Sequence, residues 1–220
     1  MPIIELKNIY KSYGKIDKRL NVLENVDFRV EKGEMVAITG KSGAGKTTLL
    51  NIMAALDFPD AGAYYFDGNK VNININNTSY GIKFRKNKIG LVFQHFALIN
   101  DLSVYDNVEL ALLETSMTTF QRKKRVNEIL SALGIESMKK SYPWSLSGGE
   151  KQLVAIARAI VNNNKVLLAD EPTGSLDTDN ENNILQILQG LNRKGLTIVL
   201  VTHDLSVANI CDRVFVLDKH

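Results

Sequence analysis

The 220-residue sequence predicts an α/β fold in which helices cover a mostly parallel β-sheet. Three runs are apolar along their whole length, which is typical of strands buried on both faces of such a sheet: residues 35–39, 166–169 and 198–202. The first run leads into a glycine-rich turn and then an apolar helical pattern. Strand, turn and helix in this order are the repeating unit of parallel sheets. A further strand is expected over 213–217.

Two additions to this core are predicted. Residues 3–30 alternate apolar and polar positions around a turn at Gly14, which indicates antiparallel strands. Ser103 opens a helical pattern with a capping-box spacing, and the pattern continues to Gly134, a suitable helix stop. We therefore expect one domain over 1–220: core and antiparallel strands at about 1–99 and 161–220, and a helical subdomain at about 100–160.

Composition and charge argue against several classes of protein, among them nucleic-acid-binding, disulfide-bonded and membrane-spanning proteins. A net charge of +3 is too small to indicate a nucleic-acid partner, and the basic run 122–125 is interpreted as a solvated helix face. The single Cys211 excludes an internal disulfide and fits a core position in a reducing compartment. No apolar run approaches the roughly 18 to 20 residues of a membrane span, and residues 1–5 lack signal-peptide features. We expect a cytoplasmic protein, with the asparagine-rich stretch 72–77 as a loop.

A phosphate-binding loop is predicted directly after the strand 35–39. Its residues, in order, are Gly40, Lys41, Ser42, Gly43, Ala44, Gly45, Lys46 and Thr47, with Thr48 expected to contact the same ligand. Glycines let the backbone N–H groups of such a loop face phosphate oxygens, and the following helix presents its positive end. Lys46 supplies a positive charge to the β- and γ-phosphates, and the Thr47 hydroxyl can bind Mg²⁺. This pattern predicts a nucleoside triphosphate site.

Two carboxylates follow the strand 166–169. Asp170 and Glu171 lie where that strand ends, and ligands of open parallel sheets bind outside the carboxyl ends of the strands. Asp170 is expected to hold Mg²⁺ through water, because this ion keeps part of its hydration shell. Glu171 can accept a proton from an attacking water. An apolar strand followed by two acids is weak evidence alone, but together with the phosphate loop it indicates triphosphate hydrolysis.

The segment 146–150, Leu-Ser-Gly-Gly-Glu, identifies a family. It resembles the signature motif of the ABC ATPases, and other motifs of that family follow in the expected order. Tyr13 resembles the aromatic residue that stacks on adenine, Gln94 the Q-loop glutamine, Asp177 the D-loop aspartate and His203 the switch histidine. The resemblance covers essentially the whole chain.

This resemblance implies a P-loop NTPase ABC cassette with a parallel-sheet core, an antiparallel β region and an α-helical subdomain. ATP and Mg²⁺ are the implied ligands, with Thr47, Gln94 and Asp170 near the metal. The catalytic residues implied are Glu171, His203, Gln94 and Lys46. Two copies are expected to pair head to tail, so that Ser147, Gly148 and Gly149 of one contact the γ-phosphate held by the other. An integral membrane permease is the second implied partner.

Three segments of the sequence resemble one branch of the ABC transporters. Residues 89–94, 106–110 and 170–177 resemble the lipoprotein-release, macrolide-export and antimicrobial-peptide-export proteins, and bacteriocin export is the cargo class favoured within that branch. Leu153 and Ser145 depart from the common pattern, which has arginine at the first position and an acid or amide at the second. The docking surface for the permease is expected between Gln94 and the helical subdomain, including Phe96, Leu98 and Tyr105.

Other classes fit less well. DNA-repair ATPases of the same superfamily insert a long coiled coil before the signature, whereas only about a hundred residues without sustained heptads separate the two motifs here. Translation-associated members usually carry two cassettes in one chain. A nucleotide-gated scaffold without turnover is a further alternative, and Glu171 argues against it.

Overall fold

The computed structural model describes residues 1–15, 18–72 and 78–218, with the side chain of Thr78 outside the description. Its strands are β1 (Pro2–Tyr13), β2 (Leu20–Glu31), β3 (Met35–Thr39), β4 (Ala61–Phe66), β5 (Asn69–Lys70), β6 (Ile89–Val92), β7 (Val166–Asp170), β8 (Thr197–Val201) and β9 (Arg213–Val216). Its helices are α1 (Lys46–Met53), α2 (Thr78–Lys88), α3 (Val104–Glu109), α4 (Thr119–Ala132), α5 (Gly148–Ile160), α6 (Thr178–Arg193) and α7 (Leu205–Asn209). Most of the stretch 72–77 predicted as a loop lies outside the described residues.

The parallel sheet is the predicted core. Its strand order is β6-β7-β8-β3-β9, and β3 and β8 are buried at every position. Parallel pairing places Asp170 opposite Val201, while Ile38 also lies opposite Val201. The carboxyl ends of β3, β7 and β8 therefore meet at one edge, which brings together the three segments singled out from the sequence.

The antiparallel sheet packs against one face of this core. Its order is β2-β1-β4-β5. One apolar cluster joins its inner side chains, such as Leu6 and Phe28, to Leu50 of α1 and to Leu168 of β7. Helix α1, which starts at the phosphate loop, is thus held by both sheets.

A second apolar cluster covers the opposite face of the sheet. It contains side chains from α3, α4 and α5 of the helical subdomain and from α6. The helical pattern predicted from Ser103 to Gly134 is interrupted: α3 ends at Glu109, a single 3₁₀ turn follows, and a new capping box at Thr118 starts α4. Gly134 ends α4 with a φ of 71°, as predicted. Helix α2 was not predicted.

The basic run on α4 is only partly the solvated face expected from the sequence. Arg122 pairs with Glu109 at 3.0 Å, and Arg125 donates to the carbonyl of Val161 at 2.8 Å. Two of its four cations therefore tie α4 to its neighbours. Among the helices of the described ranges, none is long and apolar enough to span a membrane.

Candidate active site

The loop between β3 and α1 is shaped to receive an anion. Gly45 precedes α1 with a φ of 97°, and a side chain there would meet Leu23 at 2.8 Å, so only glycine fits. The first turn of α1 carries no acidic residue to neutralise its positive end. Lys46 Nζ donates to the carbonyls of Gly40 at 2.8 Å and Lys41 at 3.1 Å, so its charge lies along the loop.

A hydroxyl and a carboxylate meet beside this loop. Thr47 Oγ1 donates to Asp170 Oδ2 at 3.2 Å, across 123 positions of sequence. Burial raises the pKa of Asp170, and the neighbouring Glu171 carboxylate adds to this, while Thr47 and Lys46 oppose it. A carboxylate that is costly to ionise gains from a nearby cation. Hydroxyl and carboxylate oxygens are ligands that Mg²⁺ prefers, so the donor set fits this ion.

Glu171 and His203 form the second pair at this edge. The ring N–H at His203 Nδ1 donates to Glu171 Oε1 at 2.8 Å, with the histidine side chain 71% exposed and the glutamate 15%. The hydrogen bond that His203 donates to Glu171, together with the negative charge of that carboxylate, raises the pKa of His203. Glu171 has a φ of 47°, which is strained for a residue with a side chain, and its N–H donates to the carbonyl of Val201 at 2.9 Å.

Gln94 approaches the same pair from β6. A side chain at Gly174 would meet Glu171 Cβ at 3.5 Å and Gln94 Nε2 at 3.7 Å, so this glycine lies between the two residues. The backbone after Gln94 is left-handed at Phe96 (φ 59°) and Ala97 (φ 49°).

Arg158 of α5 holds this strained segment. Its guanidinium donates to the carbonyl of Phe96 at 2.9 Å and to that of Ala97 at 2.6 Å. Burial lowers the pKa of Arg158. The arginine was not singled out from the sequence, because its carbonyl partners lie 61 and 62 positions away and leave no local pattern.

Tyr13 lies at the end of β1 beside the start of α1. Tyr13 is 43% exposed, and its phenol donates to Asp57 Oδ2 at 2.6 Å. Burial and the Asp57 carboxylate raise the pKa of Tyr13, and the nearby Thr48 hydroxyl opposes this. Thr48, predicted as a ligand contact, thus lies beside Tyr13. Asp57 was not predicted as a site residue, because it lies 44 positions from Tyr13.

The signature segment begins α5 with a capping box. Ser147 N–H donates to Glu150 Oε2 at 2.7 Å, and Ser147 Oγ accepts from Glu150 N–H at 3.3 Å. The N–H of Ser147 is therefore engaged within the chain. The roles expected for Ser147, Gly148 and Gly149 on the nucleotide of a second copy stay predictions. Of the two departures, Leu153 is buried in the helical cluster and Ser145 Oγ donates to the carbonyl of Tyr142 at 2.8 Å.

The D-loop packs against this segment. Asp177 caps α6 by accepting from Asn180 N–H at 2.9 Å and from Asn180 Nδ2 at 2.8 Å. A side chain at Gly149 would lie 2.2 Å from Asn180 Oδ1, and one at Gly148 would lie 3.2 Å from Leu176. Both glycines therefore allow close contact with the segment 176–180.

The predicted site residues fall into two groups. A phosphate-loop group contains Lys46, Thr47, Gln94, Asp170, Glu171 and His203; a signature group contains Ser147, Gly148, Gly149 and Asp177. In the phosphate-loop group, hydrogen bonds join Thr47 to Asp170 and His203 to Glu171. In the signature group, Ser147 bonds to Glu150 and Asp177 bonds to Asn180. Within the described ranges, no hydrogen bond or ion pair links one group to the other.

The sequence as a whole matches a known family. The family described as "ABC transporter" matches residues 23–174. The chain belongs to the ABC transporter family. It is 44% identical over 215 residues to the macrolide export ATP-binding/permease protein MacB of Escherichia coli, a match that covers 98% of this chain and 33% of MacB. It is 41% identical over 215 residues to the uncharacterized ABC transporter ATP-binding protein MJ1508 of Methanocaldococcus jannaschii, covering 98% and 95% of the two chains.

Solved ABC cassettes share the fold. The dimeric, post-hydrolysis structure of the ATP-binding cassette MJ0796 bound to ADP and Pi superposes with a TM-score of 0.87 at 41% identity, covering 97% of this chain and 94% of that one. The structure of cbiO1 from Clostridium perfringens, described as part of the ABC transporter complex cbiONQ, superposes with a TM-score of 0.86 at 31% identity, covering 98% of this chain and 84% of that one. The predicted family and cassette fold are confirmed. The chain spans 33% of the length of MacB.

Proposed function

We propose that this chain is the ATP-binding and ATP-hydrolysing subunit of a transporter and powers a separate integral membrane permease. The observation that carries the proposal is the meeting of two pairs at one edge of the sheet: Thr47 with Asp170 at 3.2 Å, and His203 with Glu171 at 2.8 Å. Both pairs lie next to an anion-binding loop. The likeness to a cassette bound to ADP and Pi supports ATP hydrolysis as the reaction.

ATP binds along the phosphate loop in this proposal. Backbone N–H groups of 40–45 receive the phosphate oxygens, and the start of α1 adds its positive end. Lys46 turns from the carbonyls of Gly40 and Lys41 towards the β- and γ-phosphates. Tyr13, which lies beside Thr48 near the start of α1, stacks on the adenine.

Hydrolysis proceeds by in-line attack of water on the γ-phosphorus. Glu171 accepts the proton of the attacking water, the bond to the bridging oxygen breaks, and ADP and phosphate are formed. His203 orients the Glu171 carboxylate through their hydrogen bond and contacts the γ-phosphate, and Gln94 orients the water. Thr47, Gln94 and Asp170, the last through water, would hold Mg²⁺, which neutralises charge on the phosphate oxygens when bound.

Two copies act together in this proposal. Among the described residues, no hydrogen bond or ion pair links the signature group to the phosphate-loop group. This supports a role for Ser147, Gly148 and Gly149 on a nucleotide held by a second copy. The remaining N–H groups of the first turn of α5 and the Ser147 hydroxyl would contact that γ-phosphate. The relative MJ0796 is described as dimeric.

The permease docks in a groove between β6 and the helical subdomain. This groove of about 600 Å³ is lined by Phe93, Ala97, Leu110 and Leu113, with Arg85 and Glu114 among its charged residues. The docking surface stays a prediction, and two of the residues expected there from the sequence do not line this groove. Leu98 packs in the helical cluster, and Tyr105 lines a separate groove with Ser103 and Lys123.

In this proposal, binding to the permease holds the chain at the inner face of the cell membrane. Export or release of a peptide, lipoprotein or antimicrobial compound is the proposed task, with bacteriocin export favoured. The similarity to MacB, whose name includes both an ATP-binding and a permease part, supports export with a membrane partner. None of the relatives named above supports a soluble DNA-repair or translation ATPase.

The test is co-purification with tagged Glu171→Gln, which traps the ATP-bound pair, from detergent-solubilised membranes with Mg·ATP. Recovery of an integral membrane protein in a near-equal amount is the expected result. Recovery of soluble proteins or nucleic acid alone would overturn the transporter assignment. The wild-type chain, assayed in parallel for phosphate release, is expected to turn over ATP, and a chain without turnover would overturn the enzymatic role.

A further inference from the structure

A buried ion pair lies directly behind Tyr13. Lys11 Nζ donates to Asp57 Oδ1 at 2.6 Å and to the carbonyl of Phe58 at 2.7 Å. The same Asp57 oxygen accepts from the N–H of Phe58 at 2.7 Å. The second oxygen, Oδ2, accepts from the phenol of Tyr13 at 2.6 Å. Both oxygens of Asp57 are therefore engaged, and one of them holds Tyr13.

The side chains of Lys11 and Asp57 have little contact with solvent. The side chain of Lys11 is 6% exposed and that of Asp57 is 20% exposed. Burial on its own would raise the pKa of Asp57, but the bonds from Lys11 and Tyr13 outweigh it, and the pKa lies below its ordinary value. Asp57 is therefore ionised at neutral pH, and an ionised acceptor makes a stronger and shorter bond to a phenol than a neutral one.

The ring of Tyr13 is held as well as its hydroxyl. The Lys11 ammonium lies over the ring, 5.0 Å from its centroid, and 4.7 Å from that of Phe58. A cation over an aromatic ring is attracted to it and restricts its rotation. Since 43% of Tyr13 remains exposed, the ring still offers a surface on which a base can stack.

The same contacts connect Tyr13 to the phosphate loop. Asp57 lies just beyond α1, and its N–H donates to the carbonyl of Asn51 in that helix at 3.2 Å. Thr48, in the second position after Lys46, lies close enough to the phenol to oppose the rise in the pKa of Tyr13. The distance between the stacking ring and the phosphate loop is therefore set by one short helix.

We propose that Asp57, supported by Lys11, is a positioning residue that orients Tyr13 for the purine base of a nucleoside triphosphate bound in the phosphate loop. The proposal rests on the function proposed above, in which Tyr13 stacks on adenine. Asp57 does not contact the nucleotide. It acts by holding the phenol, so that base and phosphates are recognised together at a fixed separation.

The test compares the affinities of ATP and of inorganic tripolyphosphate, both with Mg²⁺, by isothermal titration calorimetry in a Glu171→Gln background. Tyr13→Ala removes the ring, and ATP is expected to bind about tenfold more weakly with tripolyphosphate unchanged, as base stacking predicts. Tyr13→Phe keeps the ring but loses the bond to Asp57. We expect ATP to bind roughly three- to fivefold more weakly, the range of one hydrogen bond, again with tripolyphosphate unchanged.

A double variant, Lys11→Met/Asp57→Leu, removes both partners and leaves no unpaired buried charge. Its expected loss is at least that of Tyr13→Phe, because it removes both the acceptor of the phenol and the ammonium over the ring. Adding Tyr13→Phe to the double variant is expected to weaken ATP binding no further, because the acceptor of the phenol is already gone. Tyr10→Phe, on the same strand, is the matched control. Its affinities are expected to equal those of the parent.

The outcomes separate the two proposals. If Tyr13→Ala weakens ATP while Tyr13→Phe and the double variant bind it as the parent does, the positioning role is overturned and stacking stands. If Tyr13→Ala itself has no effect on ATP, the proposed stacking fails, and positioning with it. If the double variant weakens tripolyphosphate as much as ATP, its effect is on the fold in general, which also overturns positioning. Tyr13→Phe decides alone if the double variant does not fold.

Discussion

The carboxyl edge of the parallel sheet and the start of α5 are built in different ways. At the sheet edge, Thr47 meets Asp170 across 123 positions and His203 meets Glu171 across 32. At the start of α5, Ser147 and Glu150 cap each other across three positions. The first site exists only when the sheet is assembled, whereas the second is set by a local turn. A motif made of local contacts can keep its shape while its partner is absent, which suits a surface used by a second copy.

The strongest test of this comparison replaces a carboxylate by an amide in each region. Glu171→Gln is expected to lower kcat of ATP hydrolysis about a thousandfold with ATP affinity retained, because the proton acceptor is lost. Glu150→Gln is expected to change kcat less than about threefold, because glutamine serves equally in a capping box. Phosphate release under saturating ATP measures both, and equal losses would contradict the division into two regions.

A substitution at Gly149 tests the signature group next. Gly149→Ala places a methyl 2.2 Å from Asn180 Oδ1 and must displace it. In the proposed pairing the signature contacts the nucleotide of the second copy. A displacement of about 1 Å there is therefore expected to lower kcat about a hundredfold, while the affinity of one copy for ATP stays unchanged. Gly190→Ala is the control, since a side chain there meets nothing within 4 Å. A loss of ATP affinity in Gly149→Ala would show that the signature serves its own phosphate loop.

A third contact lies between the far end of α5 and the segment that follows Gln94, and it is tested by measuring stability. Arg158 joins α5 to the left-handed segment after Gln94 through two carbonyl bonds. Arg158→Leu removes both and is expected to lower the free energy of unfolding by about 1.5–3 kcal/mol, the range for bonds to a charged group. Urea denaturation measures this, with Arg193→Leu as the control. An unchanged midpoint would contradict the structural role of Arg158.

The smallest expected effect concerns pH. The pKa of His203 is raised in the folded chain, so its stabilising effect is fully present below the unfolded pKa of about 6.5 and is lost as pH rises through the folded value. The pair is largely exposed on the histidine side, so its contribution is at most a few tenths of a kcal/mol after screening. The difference in melting temperature between wild type and His203→Ala is expected to shrink between about pH 6 and pH 8. A difference that grows with pH would contradict this sign.

Much of the fold could be predicted because its signals are regular. Fully apolar runs indicated the buried strands β3, β7 and β8, and the capping pattern at Ser103 indicated the start of α3. The interruption between α3 and α4 was missed, because apolar spacing continues across it while the turn is decided by packing. Helix α2 was missed as well, since few of its residues are apolar.

The sequence by itself determined the elements whose contacts are local: the glycines of the phosphate loop, the capping box of the signature and the order of the motifs that define the family. These depend on backbone geometry and on neighbours within about four positions, so the residue pattern carries them directly. Only the tertiary structure decided which side chains hold the site residues in place. Asp57 reaches Tyr13 across 44 positions and Arg158 reaches Phe96 across 62. Such pairs depend on how sheets and helices pack, and no local pattern in the sequence predicts them.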